Sequence, residues 1–219
     1  MKMKKPFRRL PALILALCML LSANAFAASA GRGTANYVKT AKKAVIVVGD
    51  SRTWHMSMYC DASVKKNFYF VFANGKGIQH LGSNYENLKT DLINAMNKYP
   101  SATVVFMLGV NFNAKDTDSA RLKIYDSIIG NKAYKKHRFI VSTIGKTVGL
   151  SGNYGNGRIK DFNAKIRSHY AKKGIAVYDL YAYTDKIITS IKNTRGNDGL
   201  HYDTGKYNKI LANLRSFTG

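Results

Sequence analysis

Apolar residues fall along this chain in two alternating rhythms. Short, nearly continuous apolar runs occupy 44–48, 67–72, 103–108, 138–144 and 175–179, as expected of strands buried on both faces. Longer stretches between them carry helical spacing. In 84–98 the apolar positions are Leu88, Leu92, Ile93 and Met96, and Pro100 stops the helix. Segments 117–130 and 158–173 repeat the pattern. A last helix over 204–216 presents Tyr207, Ile210, Leu211 and Leu214, with Thr204 as its expected N-cap. This alternation predicts an α/β fold, a three-layer α/β/α sandwich on a five-stranded parallel sheet. Right-handed crossovers place the loops after the strands along one edge of that sheet, where the sites of such folds lie.

The first 27 residues stand apart. Lys2, Lys4, Lys5, Arg8 and Arg9 precede an apolar stretch over 10–21, and Ala25-Phe26-Ala27 offers the small residues that a signal peptidase reads. The stretch is too short for a comfortable membrane span. Residues 1–27 are therefore expected to be a signal peptide, the protein to be secreted or wall-associated, and no stable membrane anchor to remain. Residues 28–40 read as a flexible lead-in, and 41–219 as one domain. Losing the leader removes Cys18 and leaves Cys60 with no internal partner, so Cys60 is expected as a small buried hydrophobe.

Charge narrows the partners. The chain has 35 Lys and Arg against 12 Asp and Glu, a net +23; the leader holds five of the basic residues and none of the acidic ones, which leaves +18. Outside a cell such an excess suits anionic wall polymer. The lysines are dispersed and no nucleic-acid-binding motif is present, so no nucleic-acid partner is expected. No Cys/His spacing suits a metal, and no cofactor is expected. The 145–158 stretch holds five glycines without nucleotide-binding spacing, and reads as a long loop on the functional edge.

Four segments end at that edge with chemistry to offer. Gly49-Asp50-Ser51 follows the first run, Gly75-Lys76-Gly77 the second and Gly109-Val110-Asn111 the third, while Asp198-Gly199-Leu200-His201 precedes the last helix. Taken singly, these are a helix cap, two turns and a surface histidine. Taken together they supply a nucleophile (Ser51), a base (His201) and a carboxylate to orient it (Asp198). The N–H groups of Ser51 and Gly77 and the amide of Asn111 can serve as oxyanion donors. The other histidines, His55, His80, His137 and His169, read as structural or surface groups; His55 lies one helical turn beyond Ser51, where facing the pocket is the lesser alternative.

These four blocks, in this order, resemble those of the SGNH (GDSL) hydrolases over 44 to about 215. The resemblance implies a flavodoxin-like sandwich, serine esterase, lipase or carbohydrate-deacetylase activity without a metal, and the roles just given for Ser51, Gly77, Asn111, Asp198 and His201. Gly77 is preferred over Gly75 and Gly82 because Ile78-Gln79-His80-Leu81 resembles the start of the helix that follows this block. Two residues depart from the family pattern. Phe112 stands where an Asp often follows the asparagine, a change expected to touch loop stability. Arg52 replaces an apolar residue after the serine and is expected to alter the mouth of the pocket. The substrate expected is a small ester, in the first place an acetyl ester on carbohydrate. A lipase or lysophospholipase-type esterase and a non-catalytic cationic wall-binding module are the alternatives.

Overall fold

All five apolar runs become strands, and a sixth strand joins them. The computed structural model describes residues 31–219 apart from 83–85 and 114. The expected signal peptide and the first residues of the lead-in lie outside the described residues. The sheet comprises β1 (Arg32–Asn36), β2 (Val45–Gly49), β3 (Phe68–Ala73), β4 (Thr103–Met107), β5 (Arg138–Ser142) and β6 (Ala176–Tyr178), in the order β1-β3-β2-β4-β5-β6. β2 to β6 are parallel, as predicted. β1 is the correction, both to the five-stranded sheet and to the flexible lead-in. It pairs antiparallel with β3, Arg32 against Ala73 and Asn36 against Tyr69. Its sequence, Arg-Gly-Thr-Ala-Asn, alternates exposed and half-buried positions with little apolar content, so hydrophobicity does not announce it. Its order comes from filling the free edge of β3.

The helices are α1 (Ser51–Tyr59), α2 (Ala62–Lys65), α3 (Glu86–Lys98), α4 (Asp118–Ile129), α5 (Asn156–Ala171), α6 (Leu180–Ile187) and α7 (Thr204–Thr218). Strand residues alternate between two cores. Ile46 and Val48 join Val104, Phe106, Leu92, Met96, Tyr125, Phe162 and Ile166 beneath α3, α4 and α5. Val45 and Val47 join Phe70, Val105, Ile140, Met56, Ile210, Leu211 and Leu214 beneath α1, α6 and α7. Each such side chain, fully buried, contributes on the order of 1.5–3 kcal/mol.

Three local readings change. Asp203, rather than Thr204, caps α7, its carboxylate accepting from the Lys206 N–H at 2.8 Å. α6 begins directly after β6, capped by Asp179. α1 was silent in the hydrophobic pattern because much of the face it buries is polar: Arg52, Thr53, His55 and Ser57 are buried beside Met56.

Candidate active site

β2 ends at Gly49, and the chain turns at once into α1. Asp50 is the N-cap, its Oδ1 accepting from the Arg52 N–H at 2.9 Å, so Ser51 becomes the first helical residue. The turn is tight enough to demand glycine: a Cβ on Gly49 would stand 1.8 Å from the Thr53 hydroxyl oxygen. Asp50 is buried at 1 % exposure. Burial raises its pKa, while the Arg52 charge and N–H act to lower it.

The imidazole comes from the far end of the chain. Ser51 Oγ lies 2.8 Å from His201 Nε2 across 150 residues of sequence. His201 Nδ1 lies 2.6 Å from Asp198 Oδ2. Asp198 Oδ1 also accepts from the N–H groups of Leu200 (2.7 Å) and His201 (2.8 Å). Burial works to raise the pKa of Asp198, but the hydrogen bonds from the His201 side chain and these two N–H groups outweigh it and hold the carboxyl below its ordinary value. The segment is closed on itself: Thr194 pairs with Tyr202, and the Arg195 N–H donates to the His201 carbonyl at 2.6 Å.

Gly77 and Asn111 meet past the ends of β3 and β4, which flank β2. A Cβ on Gly77 would lie 2.2 Å from the Asn111 carbonyl oxygen, so only glycine permits this approach. Ile78–Leu81 follows as a short 3-10 helix. Asn111 Nδ2 donates to the Lys76 carbonyl at 3.2 Å, which uses one of its two amide hydrogens and leaves the other. The Tyr154 hydroxyl, from the 145–158 stretch, reaches Asn111 Oδ1 at 3.5 Å. Phe112 packs edge-on to Phe162 at 5.6 Å, with Arg158 and Arg121 over its ring, and so fastens the loop that holds Asn111.

Two residues contribute beyond expectation. Arg52 does not open on the pocket mouth; it is 6 % exposed. Its guanidinium donates to the carbonyls of Leu200 (3.0 Å), Gly145 (3.0 Å) and Lys146 (3.2 Å), and lies over the Tyr202 ring. It thus ties the His201 segment and the 145–158 stretch to the residue after Ser51. Of the readings for His55, the lesser one holds: it is buried, and its ring stacks on His201 at 4.6 Å. The signal for both lay in α1. Position 55 is four beyond 51 and shares its face, and Arg52 has no carboxylate three or four residues ahead to pair with it. Cys60 is buried as expected, and burial pushes its thiol up to about 12.

No protein-family model matches the chain, and no curated protein matches it. Solved structures do. A protein from Slackia heliotrinireducens assigned to the SGNH hydrolases superposes with a TM-score of 0.62 at 14% identity, over 81% of this chain and 99% of that one. The fold is that of the SGNH hydrolases. An acetyl xylan esterase, AlAXEase, gives 0.57 at 18% identity over 79% and 98% of the two chains. A lipase/acylhydrolase from Enterococcus faecalis gives 0.56 at 19% identity over 80% and 94%. In the SGNH fold of this chain, Ser51, Gly77 and Asn111 stand past the carboxyl ends of three neighbouring strands, β2, β3 and β4. The order of those strands reverses direction at β2, the switch point at which open α/β sheets bind ligands.

Proposed function

We propose that this protein is a secreted serine esterase that removes small acyl groups, in the first place acetyl, from carbohydrate. The observation that carries the reading is the continuous line from Ser51 Oγ through His201 to Asp198, with contacts of 2.8 and 2.6 Å. In this reading Ser51 Oγ attacks the ester carbonyl carbon while its proton passes to His201 Nε2. Asp198 holds the imidazole tautomer and offsets the imidazolium charge. The tetrahedral oxyanion is received by the N–H groups of Ser51 and Gly77 and the second hydrogen of Asn111 Nδ2; one such donor typically contributes about 3 kcal/mol in the transition state. Collapse expels the alcohol with the proton from His201, and water, activated by the same base, releases the acid from Ser51.

Acetyl carbohydrate is favoured because the structural neighbours include acetyl xylan esterases. The lipase/acylhydrolase neighbour keeps longer acyl chains as the second reading. A polyanionic wall polymer is the proposed partner of the opposite, amino edge of the sheet. A cavity of about 480 Å³ there is lined by Lys42, Lys43, Lys66 and Arg215 and, among the described residues, by no Asp or Glu side chain.

Purified protein is to be assayed on p-nitrophenyl acetate and octanoate beside Ser51→Ala. Hydrolysis of acetate that is lost in Ser51→Ala supports the reading; equal rates in the two proteins defeat it. A preference for octanoate would move the assignment to the lipase class.

A further inference from the structure

α1 brings more than the serine to the site. The His55 ring lies on the His201 ring with centroids 4.6 Å and planes 26° apart. Tyr207 stacks at 5.9 Å and Tyr59 lies at 5.4 Å from the same ring, so His55 is wedged in place. Its Nδ1 has no hydrogen-bond partner among the described residues. Hydrogen bonds from Ser51 and to Asp198 define a line through the His201 ring and leave its tilt about that line unspecified. A flat side chain against one face supplies the missing restraint.

We propose that His55 is a positioning residue for His201, setting the tilt of the ring and lying against the positive charge the ring acquires when Ser51 attacks. The proposal rests on the esterase reading above. The charged groups around the pair are Asp198, bonded to His201 and acting on His55, Arg195, acting on His55, and Asp50, coupled to both His201 and Arg52. Burial and the neighbouring His201 and Arg195 lower the pKa of His55 to about 4, against the opposing pull of Asp198. At neutral pH it therefore meets the imidazolium with an uncharged ring face, which attracts a cation, and not with a second charge, which would repel it.

The alternative is that His55 only fills space, and two substitutions separate the cases. His55→Leu fills the volume without a ring; His55→Phe restores the ring without its nitrogens. On p-nitrophenyl acetate, His55→Leu is expected to lower kcat about tenfold with KM within about twofold. Its acid limb is expected to move to lower pH by ~0.5 unit, because the imidazolium loses its support. His55→Phe is expected to recover both. Leu and Phe variants that behave alike would overturn the proposal. The same comparison in a Ser51→Ala background, with the His201 titration followed by NMR, needs no turnover. There a His201 pKa unchanged by His55→Leu overturns the proposal, whereas turnover retained by Ser51→Ala itself overturns the esterase reading.

Discussion

At the scale of the residue, the site depends on protons held in particular places. Asp198 accepts three hydrogen bonds, two of them at Oδ1 from backbone N–H groups, so in Asp198→Asn the amide oxygen stays on those donors and the amide nitrogen faces His201 Nδ1. That substitution favours the wrong His201 tautomer, and a fall in kcat on the order of a thousandfold or more is expected in ester hydrolysis, with little change in KM. His55 makes a second, opposite demand. Its folded pKa of about 4 lies below its ordinary 6.5. Between those values the unfolded chain binds a proton that the native protein refuses, so stability falls as pH drops from 6.5 toward 4. Urea midpoints at pH 7 and pH 5 should therefore differ more in the wild type than in His55→Phe. Neither demand could be read from residue types alone. Asp198 and His201 were legible as a motif, but His55 acquires its role from a stack with a residue far along the chain.

At the scale of the element, α1 is the organising piece. It presents Ser51 at its first turn, and through Arg52 it grips three carbonyls on two loops. Arg52→Met removes the donors from those carbonyls and is expected to cost about 3 kcal/mol, read as a lower urea midpoint. Arg52→Lys should recover only part of it, since an ammonium lacks the planar fork that reaches all three. Gly77→Ala tests the neighbouring loop. Its Cβ would press on the Asn111 carbonyl and push apart two proposed oxyanion donors. A loss of kcat on the order of 100-fold is expected, larger than any loss of thermal stability. The helices that the hydrophobic pattern predicted are those with apolar faces, α3, α4, α5 and α7. The pattern was blind to α1, where Arg52 and His55 are buried against the His201 segment.

At the scale of the whole molecule, the sheet separates two edges by the length of its strands, about 16 Å for five residues. Ser51 and its partners occupy one edge. The other carries Lys42, Lys43, Lys66 and Arg215, and Arg138 and Lys135 line a further cavity of about 360 Å³ at the starts of β5 and β6. Charge reversal of Lys42, Lys43 and Lys66 to Glu should weaken binding to inorganic polyphosphate, and the difference should shrink as salt rises. Hydrolysis of p-nitrophenyl acetate should be unchanged. Retention of polyphosphate binding by the triple variant would remove the amino edge as the binding surface.

The layered α/β class, the five parallel strands and the identity of the motif residues were legible in the chain alone. Those features are local: the period of apolar residues reports which faces are buried, and a strand end followed by Gly-Asp-Ser reports a cap. The rest depends on contacts between distant parts of the chain. β1 is ordered by an open strand edge and not by its own apolar content. The 2.8 Å contact between Ser51 and His201 joins positions 150 apart, so it depends on the order of the strands and on the loops closing around Arg52. Arg52 and His55 draw their parts from that same closure, because a buried guanidinium or imidazole is defined by whatever the rest of the chain brings against it.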